Sequence, residues 1–168
     1  YFMHIIIQNR ILTFNDYKVK CAVGKKGIGL KKKEGDLITP KGKYKINCIF
    51  YRNDRVKGLK SRLKKITIKK NMGWCDDPKA KEYNKLVKLP YKFRAERLFK
   101  TNNTYDIIFV LNYNSNPVRK NKGSAIFIHV AKKNYKKTEG CIAIKKNPLL
   151  KIIKKLKKNT RVMIEIQK

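Results

Sequence analysis

Apolar and polar positions alternate with a period of two through most of the chain, and that period predicts strands. His4-Ile5-Ile6-Ile7 and Ile11-Leu12-Thr13-Phe14 flank Asn9-Arg10 and read as a hairpin. Tyr17, Val19, Cys21 and Val23 alternate with Lys18, Lys20 and Ala22, the pattern of a strand with one buried face. Residues 43–51 follow, with Tyr44, Ile46, Cys48 and Phe50 on one face, and then residues 63–69, with Ile66 and Ile68 inward. Residues 105–111 break the alternation: a continuous apolar run needs cover on both faces, which predicts a central strand. Residues 124–130 are expected beside it. Leu149, Ile152, Ile153 and Leu156 change the spacing to i, i+3, i+4, i+7, so a helix lays an apolar stripe on the sheet. Asn147-Pro148 reads as its cap and first-turn proline, and Asn159 as its end. Residues 94–100 are expected to form a further short helix, and Val162, Ile164 and Ile166 a last strand. These elements predict a mainly β sandwich or open barrel with a C-terminal α-helix.

At 168 residues, 42% of them hydrophobic, the chain is expected to form one domain, residues 1–168, with a real core. Its 44 Lys and Arg against 11 acids give a net charge of +33, which ordinarily points to nucleic acid or a membrane surface. Yet the basic residues are spread along the whole chain, mostly as Lys beside many Ile and Asn, a pattern that fits a coding bias. Nucleic acid is therefore not the expected partner, although general attraction to anionic polymers is. No apolar run is long enough for a transmembrane helix, and His4-Ile5-Ile6-Ile7 is too short for the core of a signal peptide. Tyr1-Phe2 ahead of Met3 reads as an added scar.

Cys21, Cys48, Cys75 and Cys141 show no C-x-x-C spacing, so a metal site is not expected. Cys21 and Cys48 read as core, and Cys75 as a second thiol near a pocket. Cys141 is different, because His129 ends one apolar run and Cys141 starts the next. A thiol and an imidazole are the minimum for cysteine nucleophilic catalysis. Buried cysteines and strand-end histidines are more often structural. The turn Thr138-Glu139-Gly140-Cys141 shifts the balance, since Gly before Cys permits close backbone approach and nearby amides can serve an oxyanion.

Three other stretches are candidates. Arg52-Asn53-Asp54-Arg55 reads first as a surface loop, or else Arg55 or Arg52 receives a substrate carboxylate with its planar fork. Residues 71–78 hold the one Trp, Trp74, and the adjacent acids Asp76 and Asp77. Those acids either bind a peptide ammonium or tie the loop down through Asx turns and salt bridges. Tyr83-Asn84 follows, and Tyr113-Asn114 sets a phenol and an amide near the loop before Gly123, in reach of a substrate groove.

Residues 123–144 resemble the signature of the L,D-transpeptidase (YkuD-type) catalytic domain, a strand-terminal His followed after a variable loop by Ser/Thr-x-Gly-Cys-Ile/Val. Upstream, Glu34-Gly35-Asp36-Leu37-Ile38-Thr39-Pro40-Lys41-Gly42 is similar to the family's Gly-Asp-x-x-Thr-Pro-x-Gly. The Arg-x-Asp-Arg, Gly-Trp-Cys-Asp-Asp-Pro and Tyr-Asn segments resemble a compact bacterial subgroup, and the likeness covers the chain from about Cys21 onward. Two positions depart from the pattern: Glu139 stands where His or Arg often precedes Gly-Cys, and Ala143 where Arg often follows.

The resemblance implies a thioester on Cys141, His129 as general base and acid, and amides near Gly140 and Cys141 as oxyanion donors. Glu139 would orient His129 through its main chain. Arg55, Trp74, Asp76, Asp77, Tyr83, Asn84, Tyr113, Asn114, Thr138 and Ala143 would line the substrate site, and the loop of residues 24–42 would pack beside it and support the catalytic strands without doing chemistry. The implied partners are donor and acceptor stem peptides of peptidoglycan, met by a monomer in the periplasm or cell envelope, with no cofactor. The cross-link would join stem position one to three, or three to three. A hydrolase using the same site, and a non-catalytic basic envelope or nucleic-acid binding module with a structural Cys141, are the alternatives.

Overall fold

The computed structural model describes residues 3–167; the reading of Tyr1-Phe2 as a scar lies outside them. The strands in order are β1 (Ile5–Gln8), β2 (Ile11–Phe14), β3 (Tyr17–Lys20), β4 (Ile28–Gly29), β5 (Thr39–Pro40), β6 (Gly42–Tyr51) and β7 (Lys65–Thr67). β8 (Met72–Cys75), β9 (Leu86–Lys88), β10 (Ala95–Arg97), β11 (Ile107–Leu111), β12 (Phe127–Val130) and β13 (Ile142–Ile144) follow. Helix α1 (Lys146–Ile153) and β14 (Arg161–Glu165) complete the set.

The main sheet runs β13-β12-β11-β6-β14-β1-β2-β3. The expected hairpin forms between β1 and β2, Ile5 opposite Phe14, over Asn9 and Arg10 at φ 47° and 62°. Two consecutive left-handed residues match the twist of the flanking strands, and asparagine tolerates that region best after glycine. Beyond β3 the chain returns to the far edge of the sheet. Ala22 and Ala143 exchange both backbone bonds there, at 2.8 and 3.0 Å, which nearly closes the sheet into a barrel. The start of β13, immediately after Cys141, is thereby held on both sides.

β11 is the central strand its composition predicts, flanked by β6 and β12 and buried along its whole length. Ile107, Phe109 and Leu111 enter the main core with β1, β2, β14 and α1, while Ile108 and Val110 face a second cluster with Phe50, Leu98, Tyr105 and Phe127. The expectation of one face for Tyr44, Ile46, Cys48 and Phe50 fails for a local reason. The register between β6 and β11 shifts, with Val110 opposite Cys48 and Leu111 opposite Ile46, so Asn47 is an extra residue. A bulge flips every side chain beyond it, sending Tyr44 and Ile46 to the main core but Cys48 and Phe50 to the second cluster.

Residues 94–100 are not a helix. β10 pairs antiparallel with β8 instead, Glu96 opposite Trp74. Seven residues are too few for a stable isolated helix, whereas the free edge of β8 satisfies their backbone. Leu98 still points inward. A single 3-10 turn, Lys133–Tyr135, lies between β12 and β13. Helix α1 starts ahead of Asn147, with Lys145 at the cap position and no side-chain cap bond, and ends at Ile153 rather than near Asn159. The apolar positions are nevertheless buried, Leu149, Ile152 and Ile153 of the helix and Leu156 just beyond it all lying in the main core.

Candidate active site

Pairing of β11 with β12 sets His129 directly opposite Ile108, on the face that carries the second cluster. Parallel pairing of β12 with β13 brings Ala143 beside His129. Cys141, one residue before β13, is thus delivered to the same region and packs against that cluster. Two neighbouring strands therefore bring the imidazole and the thiol to one wall of a cleft of about 680 Å³.

The turn that carries Cys141 is fastened from three directions. Thr138 exchanges backbone bonds with residues 23 and 25, its amide to the Val23 carbonyl at 3.0 Å and its carbonyl from the Lys25 amide at 2.9 Å. The Thr138 hydroxyl donates to the Cys141 carbonyl at 2.6 Å and accepts from the Gly140 amide at 3.1 Å. Buried Thr39 donates to the Gly140 carbonyl at 2.8 Å while accepting from the Gly24 amide at 2.8 Å. Gly140 has φ +149°, and a Cβ there would stand 3.0 Å from the Ile38 carbonyl. Only glycine fits that position without displacement. The residues 34–42 motif thus acts on the nucleophile turn through Thr39. The Gly140 amide, expected as an oxyanion donor, is engaged by Thr138 in this arrangement.

The thiol donates to the Ala125 carbonyl at 3.0 Å, and the Phe127 amide points at Sγ from 3.4 Å. Burial pushes the Cys141 pKa up to about 12, a rise that the Phe127 amide, Lys31 and Lys100 oppose and Glu96 reinforces. His129 is buried edge-on against Tyr105, ring centroids 5.3 Å apart. Burial lowers its pKa to about 4, with Lys100 and Lys132 acting in the same direction. At neutral pH the pair rests as thiol and neutral imidazole. Burial thus disfavours the thiolate and the imidazolium alike.

Nδ1 of His129 lies 2.9 Å from the Val130 carbonyl. A carbonyl only accepts, so Nδ1 carries the proton and Nε2 keeps the lone pair of a base. The main-chain group that orients the imidazole is therefore Val130, where Glu139 was expected.

Residues distant in sequence complete the cleft. Lys31 is inside it, its side chain 3% exposed, donating to Asp36 Oδ1 at 2.7 Å and to the Ile38 carbonyl at 3.1 Å. Burial alone would raise the Asp36 pKa, but Lys31 and the amides of Lys32, Ile38 and Lys33 bring it down to about 2. Glu34 accepts from Ser124 and, at 3.1 Å, from Tyr83. On the opposite side Glu96 accepts from Tyr105 at 2.6 Å and Lys100 at 3.2 Å, and Arg94 holds Asp76 at 3.1 Å. The cleft wall thus presents both signs of charge. Its seven basic residues, Lys25, Lys31, Arg94, Lys100, Lys132, Lys136 and Lys137, are a small part of the 44 in the chain, so the net charge is not gathered into this groove.

Of the residues expected to contact substrate, the cleft wall includes Asp76, Thr138 and Ala143, together with His129, Glu139, Gly140 and Cys141. The others are not part of that wall. Arg55 is engaged by the Asn102 and Thr101 carbonyls and by Asp106 at 2.9 Å, which leaves its fork no room for a ligand carboxylate. Asp77 accepts from the Lys79 and Arg94 amides, the Asx-turn alternative. Tyr83 is fully buried, bonded to Glu34 and the Gly123 amide, and Tyr113 donates to the Lys122 carbonyl. Asn114 bonds the Arg119 and Gly123 carbonyls. Trp74 packs on Phe127 and donates to Asn84 Oδ1 at 3.0 Å. Asn84 also accepts from the Ala125 amide at 3.0 Å and donates to the Tyr113 and Asn114 carbonyls. Cys75 is buried in a small cluster of its own, off the cleft wall.

Lys31, Glu34, Ser124, Arg94, Glu96, Lys100 and Tyr105 escaped the sequence reading. Lys31 is one lysine among many in a Gly-Lys loop, and nothing local marks it. Among the described residues no group of three or more His, Cys, Asp or Glu gathers to hold a metal ion, and no helix is long and apolar enough to cross a membrane.

The model of one protein family, described as the L,D-transpeptidase catalytic domain (YkuD), matches residues 2–164. No curated protein matches the chain.

Proposed function

The chain belongs to the L,D-transpeptidase catalytic domain family, and from that premise we propose that it cross-links peptidoglycan stem peptides through Cys141 and His129. Membership implies a peptidoglycan substrate. The observation that carries the residue assignment is the meeting of one thiol and one imidazole base on the wall of the same cleft.

Because both groups rest neutral, proton transfer accompanies attack instead of preceding it. Nε2 of His129 takes the Cys141 proton as Sγ adds to the donor carbonyl. The leaving amine receives that proton, and the acyl group stays on Sγ as a thioester. The acceptor amine then attacks the thioester, gives a proton to His129, and Cys141 leaves with it as a thiol. The Val130 carbonyl keeps Nδ1–H in place throughout. Asp76, Glu34 and Glu96 face the substrate's ammonium groups, and the lysines and Arg94 its carboxylates. The proposed place of action is the cell envelope, and monomers are the proposed form.

Incubating purified muropeptide monomers with the wild type and Cys141→Ala, followed by mass spectrometry, tests the reading. Dimers made by the wild type alone support it. Shortened monomers without dimers assign a peptidoglycan peptidase, and unchanged monomers in both samples leave the family's chemistry absent from this chain. Fragmentation of any dimer reads the linkage as well. Ala143, in the place of the more usual Arg, points to a one-to-three link rather than three-to-three.

A further inference from the structure

We propose that Lys31 is a further catalytic residue, its ammonium supplying an oxyanion donor to the tetrahedral intermediates formed on Cys141. The inference rests on the reading of Cys141 as the nucleophile.

A carbonyl attacked by sulfur needs preorganised donors aimed at the oxygen on which charge develops. In the turn that carries Cys141, the Gly140 amide is directed at Thr138 Oγ1 at 3.1 Å, which leaves the Cys141 amide short of a companion. Lys31 stands beside that turn. Its Nζ lies 3.5 Å from where a Cβ on Gly140 would be, and it lines the same cleft as Cys141. An ammonium has three donors; Asp36 Oδ1 and the Ile38 carbonyl take two, and no hydrogen bond takes the third among the described residues.

The surroundings are shaped for this side chain. A Cβ on Gly123, at φ +110°, would meet Lys31 Cε at 2.5 Å and Cδ at 2.8 Å. Gly123 thus makes room for the stem, and the head lies in ordinary contact range of Gly140. Asp36 is fixed in turn by the amides of Lys32, Lys33 and Ile38, so the ion pair is rigid before substrate arrives. Burying such a pair is a poor way to gain stability but a good way to aim a charge. Lys31 also favours the anionic form of Cys141 electrostatically.

In the step itself the C–S bond forms and the carbonyl π pair moves onto oxygen, between the Cys141 amide and Lys31 Nζ. Collapse returns that pair and breaks the bond to the amine, which departs with the proton held by His129. The acceptor amine builds the same oxyanion in the second half, and its collapse breaks the C–S bond.

Two small probes separate oxyanion stabilisation from thiol activation. p-Nitrophenyl acetate acylates a thiol through a tetrahedral oxyanion and expels p-nitrophenolate; methyl methanethiosulfonate transfers a methylthio group and expels methanesulfinate, with no carbonyl involved. Both rates are read on the Cys141 peptide by mass spectrometry. Lys31→Met should slow acylation by about 100-fold relative to methylthiolation, the size of one lost oxyanion donor. The double variant Lys31→Met/Asp36→Asn, which leaves no unpaired buried carboxylate, should show the same ratio with a native circular dichroism spectrum. An unchanged ratio in both variants, whether the two rates fall together or not at all, overturns the proposal. A wild-type Cys141 inert to both probes would overturn the nucleophile reading, and this inference with it.

Discussion

The hydroxyl of Thr39 donates to the carbonyl of Gly140 at 2.8 Å, joining residues 101 positions apart in the chain. Its oxygen also accepts the Gly24 amide, so one buried side chain satisfies groups on two loops. The Thr-Pro motif and the Gly-Cys motif are thereby a single structural unit. Thr39→Val keeps the shape and leaves both backbone groups without that partner. Each orphaned group costs about 1–3 kcal/mol, so the urea midpoint should fall substantially, and Cys141 chemistry with it. Thr39→Ser should restore most of both.

Asn84, expected at the substrate, instead holds the amide of Ala125, the residue whose carbonyl receives the Cys141 thiol. Its Oδ1 takes the Ala125 amide and Trp74 Nε1, and Nδ2 serves two further carbonyls. Ala125 sits at φ 52°, a conformation that needs such support. Asn84→Ala should destabilise by about 2–4 kcal/mol and lower the rate of Cys141 alkylation by iodoacetamide. Trp74→Phe, which removes one bond of the network, should do less of each.

Arg55→Met should leave KM for muropeptides unchanged, because the guanidinium is bonded to the protein and is not part of the cleft wall. It should lower stability by about 1–3 kcal/mol, since Asp106 is 1% exposed and would keep Lys146 alone as its charged partner. A rise in KM at constant stability would return Arg55 to the substrate site.

His129 sets the acid limit. Its folded pKa is near 4, against an ordinary value of 6.5 that the unfolded chain regains. Between those values the unfolded state binds the extra proton. Stability should therefore decline as pH falls from about 6.5 to about 4, by about 3 kcal/mol in all, and change no further below that through this group. His129→Gln should flatten that part of a urea-midpoint profile. The acid limb of kcat/KM should sit well below pH 6. Cys141, with its folded pKa raised to about 12 from an ordinary 9.0, acts at the other end, withdrawing stability as pH rises above about 9.

The β1–β2 hairpin, the central position of β11 and the buried Leu149, Ile152 and Ile153 of α1 were determined by the sequence by itself, because each is written in local periodicity, and a short motif singled out Cys141 and His129, which line one cleft. Asn47 shows where periodicity stops: no local signal marks it as a bulge, and only pairing with β11 shows that the faces of β6 exchange there. Residues 94–100 fit a helix or a strand equally by composition, and the open edge of β8 decided between them. The division of the polar residues was decided in the same way. Arg55, Asn84, Tyr83 and Tyr113 have the chemistry of ligand-binding groups, but each meets its partner within the fold and is consumed there. Lys31 has no distinguishing neighbour in sequence, yet Gly123, from a segment far along the chain, leaves room for its stem. Such a role belongs to the tertiary structure because it depends on which backbone groups remain unsatisfied and which volumes remain empty, and both follow from contacts between distant segments.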